Sequence, residues 1–99
     1  IAAIVRDLVA GIGRLLGVEA LSNDAVEVDD AFVGEGYGLP TEASMEAIRL
    51  AAASDGLLLD PVYTAKAMAG LIARVRAGVF DRSQTVLFWH TGGLPALFA

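Results

Sequence analysis

The sequence predicts an α/β fold, with helices layered against a mainly parallel sheet. Three observations predict it. Helix-period and strand-like stretches alternate in the order αβαβαβα, with no hairpin signal between the strand-like ones. Thr85 to Trp89 is a nearly continuous apolar run with β-branched and aromatic residues, as expected of a strand buried on both faces of a parallel sheet. Two apolar runs pass straight into helix starts, at Leu59 to Thr64 and at Trp89 to Gly93, which is where α/β proteins place ligand chemistry.

Composition bounds the rest. Ninety-nine residues suit one domain. Hydrophobic residues make up 56% and charged residues 19%, and the mean hydropathy is +0.60. A small domain has much surface, so this composition predicts that something covers part of the apolar surface, either more of the same chain or a partner subunit. The chain begins at Ile1 and ends on Phe98-Ala99, which reads as a piece of a longer protein. A net charge of −5 leaves no basic patch for nucleic acid or an anionic membrane. No cysteine is present, so disulfides and thiolate metal sites are excluded, and a cytoplasmic setting is expected. No run reaches the length of a membrane span.

In chain order, Ile1, Ile4, Val5, Leu8, Val9, Ile12, Leu15 and Leu16 recur at helical spacing, and Gly17 closes that helix. Gly11 and Gly13 inside it each cost on the order of 1 kcal/mol relative to alanine, so the helix depends on packing. Val26 to Val28 reads as a short strand. Glu27, Asp29 and Asp30 beside it read as solvated acids, because strand neighbours face opposite ways. Gly34 to Pro40 is a loop whose three glycines require unusual backbone angles or a close approach, with Tyr37 between two of them.

Thr41 caps the next helix, Glu42 suits its first turn, and Ser54-Asp55-Gly56 ends it. Leu57 to Leu59 is a buried strand or extended segment. Asp60 is the expected N-cap and Pro61 the first position of a helix to Ala77, with Ala67, Met68, Leu71, Ile72 and Val75 inward and Gly78 just past its end. Lys66, the only lysine, reads as a solvent-facing charge. Thr85 to Trp89 runs into His90-Thr91-Gly92-Gly93 and the helix-like Leu94 to Phe98. A lone histidine without cysteine predicts no metal site.

Gly36 to Glu42 with Met45-Glu46-Ala47, then Gly56 to Gly70, then Val86 to Phe98 resemble the C-terminal part of the D-cysteine desulfhydrase and 1-aminocyclopropane-1-carboxylate deaminase family. The resemblance implies a pyridoxal-phosphate enzyme of the tryptophan synthase β-like fold, this chain being the C-terminal segment of its large domain. It implies catalytic roles for Tyr37 and Tyr63, cofactor contacts from Tyr63, Thr64, Thr91 and Gly92, and substrate contacts from Tyr37 and Thr91. Threonine at 64 and 91 resembles the desulfhydrase branch, where deaminases typically carry glutamate and leucine. Ala65 departs from the glycine common there.

The implied reaction is α,β-elimination of D-cysteine or a similar β-substituted amino acid to pyruvate, hydrogen sulfide and ammonia. Cyclopropane-ring deamination and cysteate sulfo-lyase activity are the alternatives within the class, and a non-catalytic α/β interaction module is the alternative outside it. The family's Schiff-base lysine and phosphate loop lie in an N-terminal part that this sequence lacks, so the segment alone is expected to be inactive. Lys66 matches a different lysine. The implied partners are an amino-acid substrate, the N-terminal part of the same chain and a second subunit, with no nucleic acid or membrane.

Overall fold

A computed structural model describes residues 1–19, 22 and 25–98. Ala99, at the apolar end of the sequence, lies outside the described residues. The chain divides into two units, residues 1–30 and 31–99.

In the first unit, α1 spans Ala2–Leu16 and ends as its sequence requires. Gly17 takes a left-handed conformation at φ 64°, and the amide of Val18 closes back on the carbonyl of Gly13 at 3.1 Å, a Schellman ending. The predicted apolar stripe exists, but it faces outward at Ile1, Ile4, Leu8, Ile12 and Leu15, and Gly13 is the only buried residue of the helix.

In the second unit, α2 spans Glu42–Asp55 and α3 spans Thr64–Arg76. Thr41 and Ser44 form a reciprocal capping box at the start of α2, and Gly56 ends it at φ 64°. α2 and α3 pack on each other through small residues. Ala47, Ala51, Ala65 and Ala69 are buried, and Leu59 is enclosed with Ala51 and Ala65 by Ile48, Leu57, Met68 and Phe88. A two-pronged Arg76–Glu46 ion pair, 2.7 and 3.2 Å, crosses the outer edge of this helix pair. Leu94–Phe98 forms a short 3-10 helix. No helix among the described residues is long and apolar enough to cross a membrane.

The expected helix–sheet–helix layering is overturned. No strand forms among the described residues, and Val26 to Val28, Leu57 to Leu59 and Thr85 to Trp89 are all without a backbone ladder. An apolar, β-branched run specifies a surface suited to a sheet, but a strand exists only when another strand supplies its hydrogen bonds. The Thr85 to Trp89 run is not buried on both faces. Leu87 and Trp89 are 79% and 77% exposed, and Phe88 alone turns toward the core.

Two details of α3 also differ from expectation. It begins at Thr64, because residues 61–63 form a turn and Tyr63 sits off helical geometry at φ −120°, ψ −66°. Its inward positions are Ala65 and Ala69 with Met68 partly buried, while Ala67 and Val75 face out. Ala77 and Gly78 end α3 as predicted, with Gly78 at φ 70°.

Candidate functional site

The glycine loop runs antiparallel to the start of α3 and meets it at three levels. Phe32 lies over Gly70, where a Cβ would come within 3.2 Å of its ring. Lys66 Nζ donates to the carbonyls of Val33 at 2.5 Å and Gly36 at 3.4 Å. The hydroxyl of Tyr37 is hydrogen-bonded to that of Tyr63, with the rings edge to face and centroids 6.0 Å apart. Positions 66 and 70 share one face of α3 by their spacing, and Tyr63 makes its contact from the N-cap just before the helix.

Lys66 corrects the sequence reading. It is 9% exposed and tied to the loop, where a solvent-facing charge was expected. The available signal was a lone lysine three residues after Tyr63, but nothing local linked it to carbonyls 30 and 33 residues away.

Asp60 organises the other side of the helix start. It is fully buried, and its Oδ2 accepts the amides of Val62 and Tyr63, each at 2.8 Å. Oδ1 accepts the amide of Thr64 at 2.9 Å and its hydroxyl at 2.6 Å. Burial works to raise the pKa of this carboxyl. The hydrogen bonds from Thr64, Tyr63 and Val62 outweigh it and hold the group below the usual aspartate value. The Tyr63 phenol is pushed above the ordinary tyrosine value by its hydrogen bond with Tyr37, then by burial, then by the charges of Tyr37 and Asp60. It therefore keeps its proton at neutral pH.

The HTGG turn closes on this same start. Gly93, at φ 92°, lies so close to Asp60 that a Cβ would come within 2.5 Å of its carboxyl carbon. His90 Nε2 is 2.9 Å from the carbonyl of Leu58, and the amide of Gly92 donates to His90 Nδ1 at 3.1 Å. A carbonyl only accepts and an amide only donates, so the two contacts together assign the neutral ring with its proton on Nε2.

The structure thus brings Tyr37 and Tyr63 together, and sets the 90–93 turn against Asp60, which also holds Thr64. Thr64 is buried and its proton is committed to Asp60. Thr91 is exposed, and no hydrogen bond joins it to Tyr37, Tyr63 or Thr64 among the described residues. Among those residues no three His, Cys, Asp or Glu side chains are grouped to hold a metal.

Comparison with known proteins bears on what this arrangement serves. The model of the pyridoxal-phosphate dependent enzyme family matches residues 3–92. The chain belongs to this family. It is 49% identical over 79 residues to a 1-aminocyclopropane-1-carboxylate deaminase of Ralstonia nicotianae, covering 80% of this chain and 23% of that protein. It is 54% identical over 70 residues to a D-cysteine desulfhydrase of Salmonella newport and equally to that of Salmonella heidelberg, covering 71% of this chain and 21% of each. The chain spans about a fifth of the length of these curated relatives. The resemblance read in the tyrosine loop, the DPVYT segment and the HTGG turn agrees with these matches.

Members of the family depend on pyridoxal phosphate. Tyr63 offers an aromatic ring that is 56% exposed, and Tyr37 a phenol that is 81% exposed. Lys66 does not fit the attachment point, because its amine is engaged with two carbonyls.

Proposed function

We propose that the complete protein is a pyridoxal-phosphate-dependent lyase that eliminates the β-substituent of D-cysteine or a close analogue, and that this chain supplies the side of the site carrying Tyr37 and Tyr63. The observation that carries this reading is the pairing of the two phenols. Bound cofactor supplies the electron sink for charge developing at the substrate α-carbon. The chain's own residues handle position and protons. Whichever phenol donates to the other, the pair keeps one O–H free to meet a leaving sulfur or a substrate carboxylate. Tyr63, with its raised pKa, stays protonated and gives the cofactor ring an aromatic face.

Thr64 and Thr91 bear neutral hydroxyls where the deaminase branch carries glutamate and leucine. A neutral contact to a ring nitrogen makes a weaker electron sink than a carboxylate does, and this suffices when a thiolate departs; the Thr64 hydroxyl donates to Asp60, so such a contact from Thr64 would require that hydrogen bond to be given up. The attaching lysine and the phosphate loop belong to the part of the protein preceding this segment, and the segment alone is inactive. The proposal includes a homodimer in the cytoplasm.

The test is to give the natural full-length protein D-cysteine and measure pyruvate and sulfide together. Equal release of both is expected; pyruvate without sulfide, or neither, would overturn the substrate. The second reading is 1-aminocyclopropane-1-carboxylate deamination, favoured by the similarity to the Ralstonia deaminase. Release of 2-oxobutyrate and ammonia from that amino acid, with no sulfide from D-cysteine, would select it.

A further inference from the structure

Lys66 is the chain's only lysine, and the proposed chemistry gives it no role. Its side chain is 9% exposed, and the structure pairs it with no carboxylate among the described residues; its two partners are backbone carbonyls. Burying an ammonium costs free energy unless acceptors meet it, and a simple surface charge would be left in water. The two carbonyls flank Gly34-Glu35 and end at the residue just before Tyr37. Gly34 within this stretch and Gly38 just after Tyr37 take left-handed angles, φ 78° and 74°, so the loop is neither helical nor extended there. A Cβ at Gly34 would collide with the Thr41 methyl at 2.6 Å and lie 3.7 Å from Lys66 Nζ, so the backbone is drawn close over the ammonium.

The N-cap residue and the first turn of α3 therefore grip the loop at two points, by the Tyr63 hydroxyl at Tyr37 and by the Lys66 ammonium at Val33 and Gly36. We propose that Lys66 is a positioning residue, whose ammonium clamps the carbonyls of Val33 and Gly36 so that the glycine loop presents the Tyr37 phenol to Tyr63 and the substrate. Without the clamp, an exposed tyrosine between two glycines samples many orientations and the phenol pair forms only part of the time. Lys66 touches no reacting atom. It acts through the loop backbone, and its catalytic consequence rests on the reading that Tyr37 works at the site.

The experiment compares Lys66→Met and Lys66→Gln with the unaltered full-length protein by hydrogen exchange of the loop amides and by phenol titration. Lys66→Met keeps length and loses every donor. It is expected to speed exchange of the Leu39 amide, which bonds to Gly36 in the intact loop, by about tenfold or more. The Tyr63 titration should move down toward that of an ordinary tyrosine, as in Tyr37→Phe. Lys66→Gln keeps a neutral NH2 donor group on a shorter arm and should fall between. Elimination should lose about tenfold or more in kcat with a smaller change in KM, as expected when a catalytic group is misplaced rather than removed.

Unchanged loop exchange and an unchanged Tyr63 titration in a folded Lys66→Met protein would overturn the clamp. Should Lys66→Met fail to fold, the same two readouts on Lys66→Gln decide. If Tyr37→Phe retains full elimination, the catalytic role of Tyr37 fails, while loop exchange still judges the clamp.

Discussion

Asp60 holds Thr64 from both directions: its amide donates to Thr64 Oγ1 at 2.8 Å, and its carboxylate takes the Thr64 hydroxyl at 2.6 Å and amide at 2.9 Å. One buried pair thus sets where α3 begins, and with it the direction in which Tyr63 and Lys66 leave the helix.

Asp60→Ala should destabilise the protein by about 2–3 kcal/mol, because the amides of Val62, Tyr63 and Thr64 and the Thr64 hydroxyl lose their acceptor. Denaturant unfolding monitored by circular dichroism measures it. The pKa of Asp60 is lowered on folding, so its contribution is present above the ordinary aspartate value of 3.8 and is lost as pH falls through the lower folded value. Asp60→Asn should remove that acid limb of the stability profile. An identical acid limb in Asp60→Asn would assign it to other carboxyls.

Gly93→Ala should be among the costliest glycine replacements, by about 2–3 kcal/mol, because the new methyl meets the Asp60 carboxyl and φ is 92°. Gly17→Ala is the control. It has the left-handed angle but nothing within 4 Å, so it should cost only about 1 kcal/mol. Comparing the two melting temperatures separates collision from backbone strain.

Tyr37→Phe in the full-length protein should lower kcat for D-cysteine elimination by about 100-fold if its hydroxyl moves or holds a proton. The same change removes the first cause of the raised Tyr63 pKa, so phenolate absorbance should develop at lower pH than in the unaltered protein. A Tyr63 titration that stays where it was would mean the two hydroxyls do not meet in solution.

Thr91→Leu, at an exposed position whose change leaves the Asp60–Thr64 pair intact, should shift preference from β-elimination toward cyclopropane-ring deamination, read as the ratio of kcat/KM for the two amino acids. A ratio equal to that of the unaltered protein would dismiss Thr91 as a specificity determinant.

What the sequence determined by itself was local. Thr41, Gly17, Gly56 and Gly78 end or begin helices as their chemistry requires, since each cap is completed within about five residues. Asp60 was legible as an acceptor for the amides that follow it, but it is not the N-cap expected: it grips Val62, Tyr63 and Thr64 in a turn, the N-cap position falls on Tyr63, and the helix starts at Thr64 rather than Pro61. Family membership was legible too, because side-chain identity at Tyr37, Tyr63, Thr64 and the HTGG turn survives without any knowledge of contacts.

Tertiary structure decided the rest. Leu57 to Leu59 and Thr85 to Trp89 have strand chemistry but no strand, because a ladder depends on a second backbone that no local pattern supplies. Lys66 reads as an exposed charge until the loop carbonyls of Val33 and Gly36 close over it, and Tyr37 reaches Tyr63 across 26 residues. Capping is encoded in nearest neighbours, whereas clamps and pairs across long loops exist only once the chain has brought their two halves together.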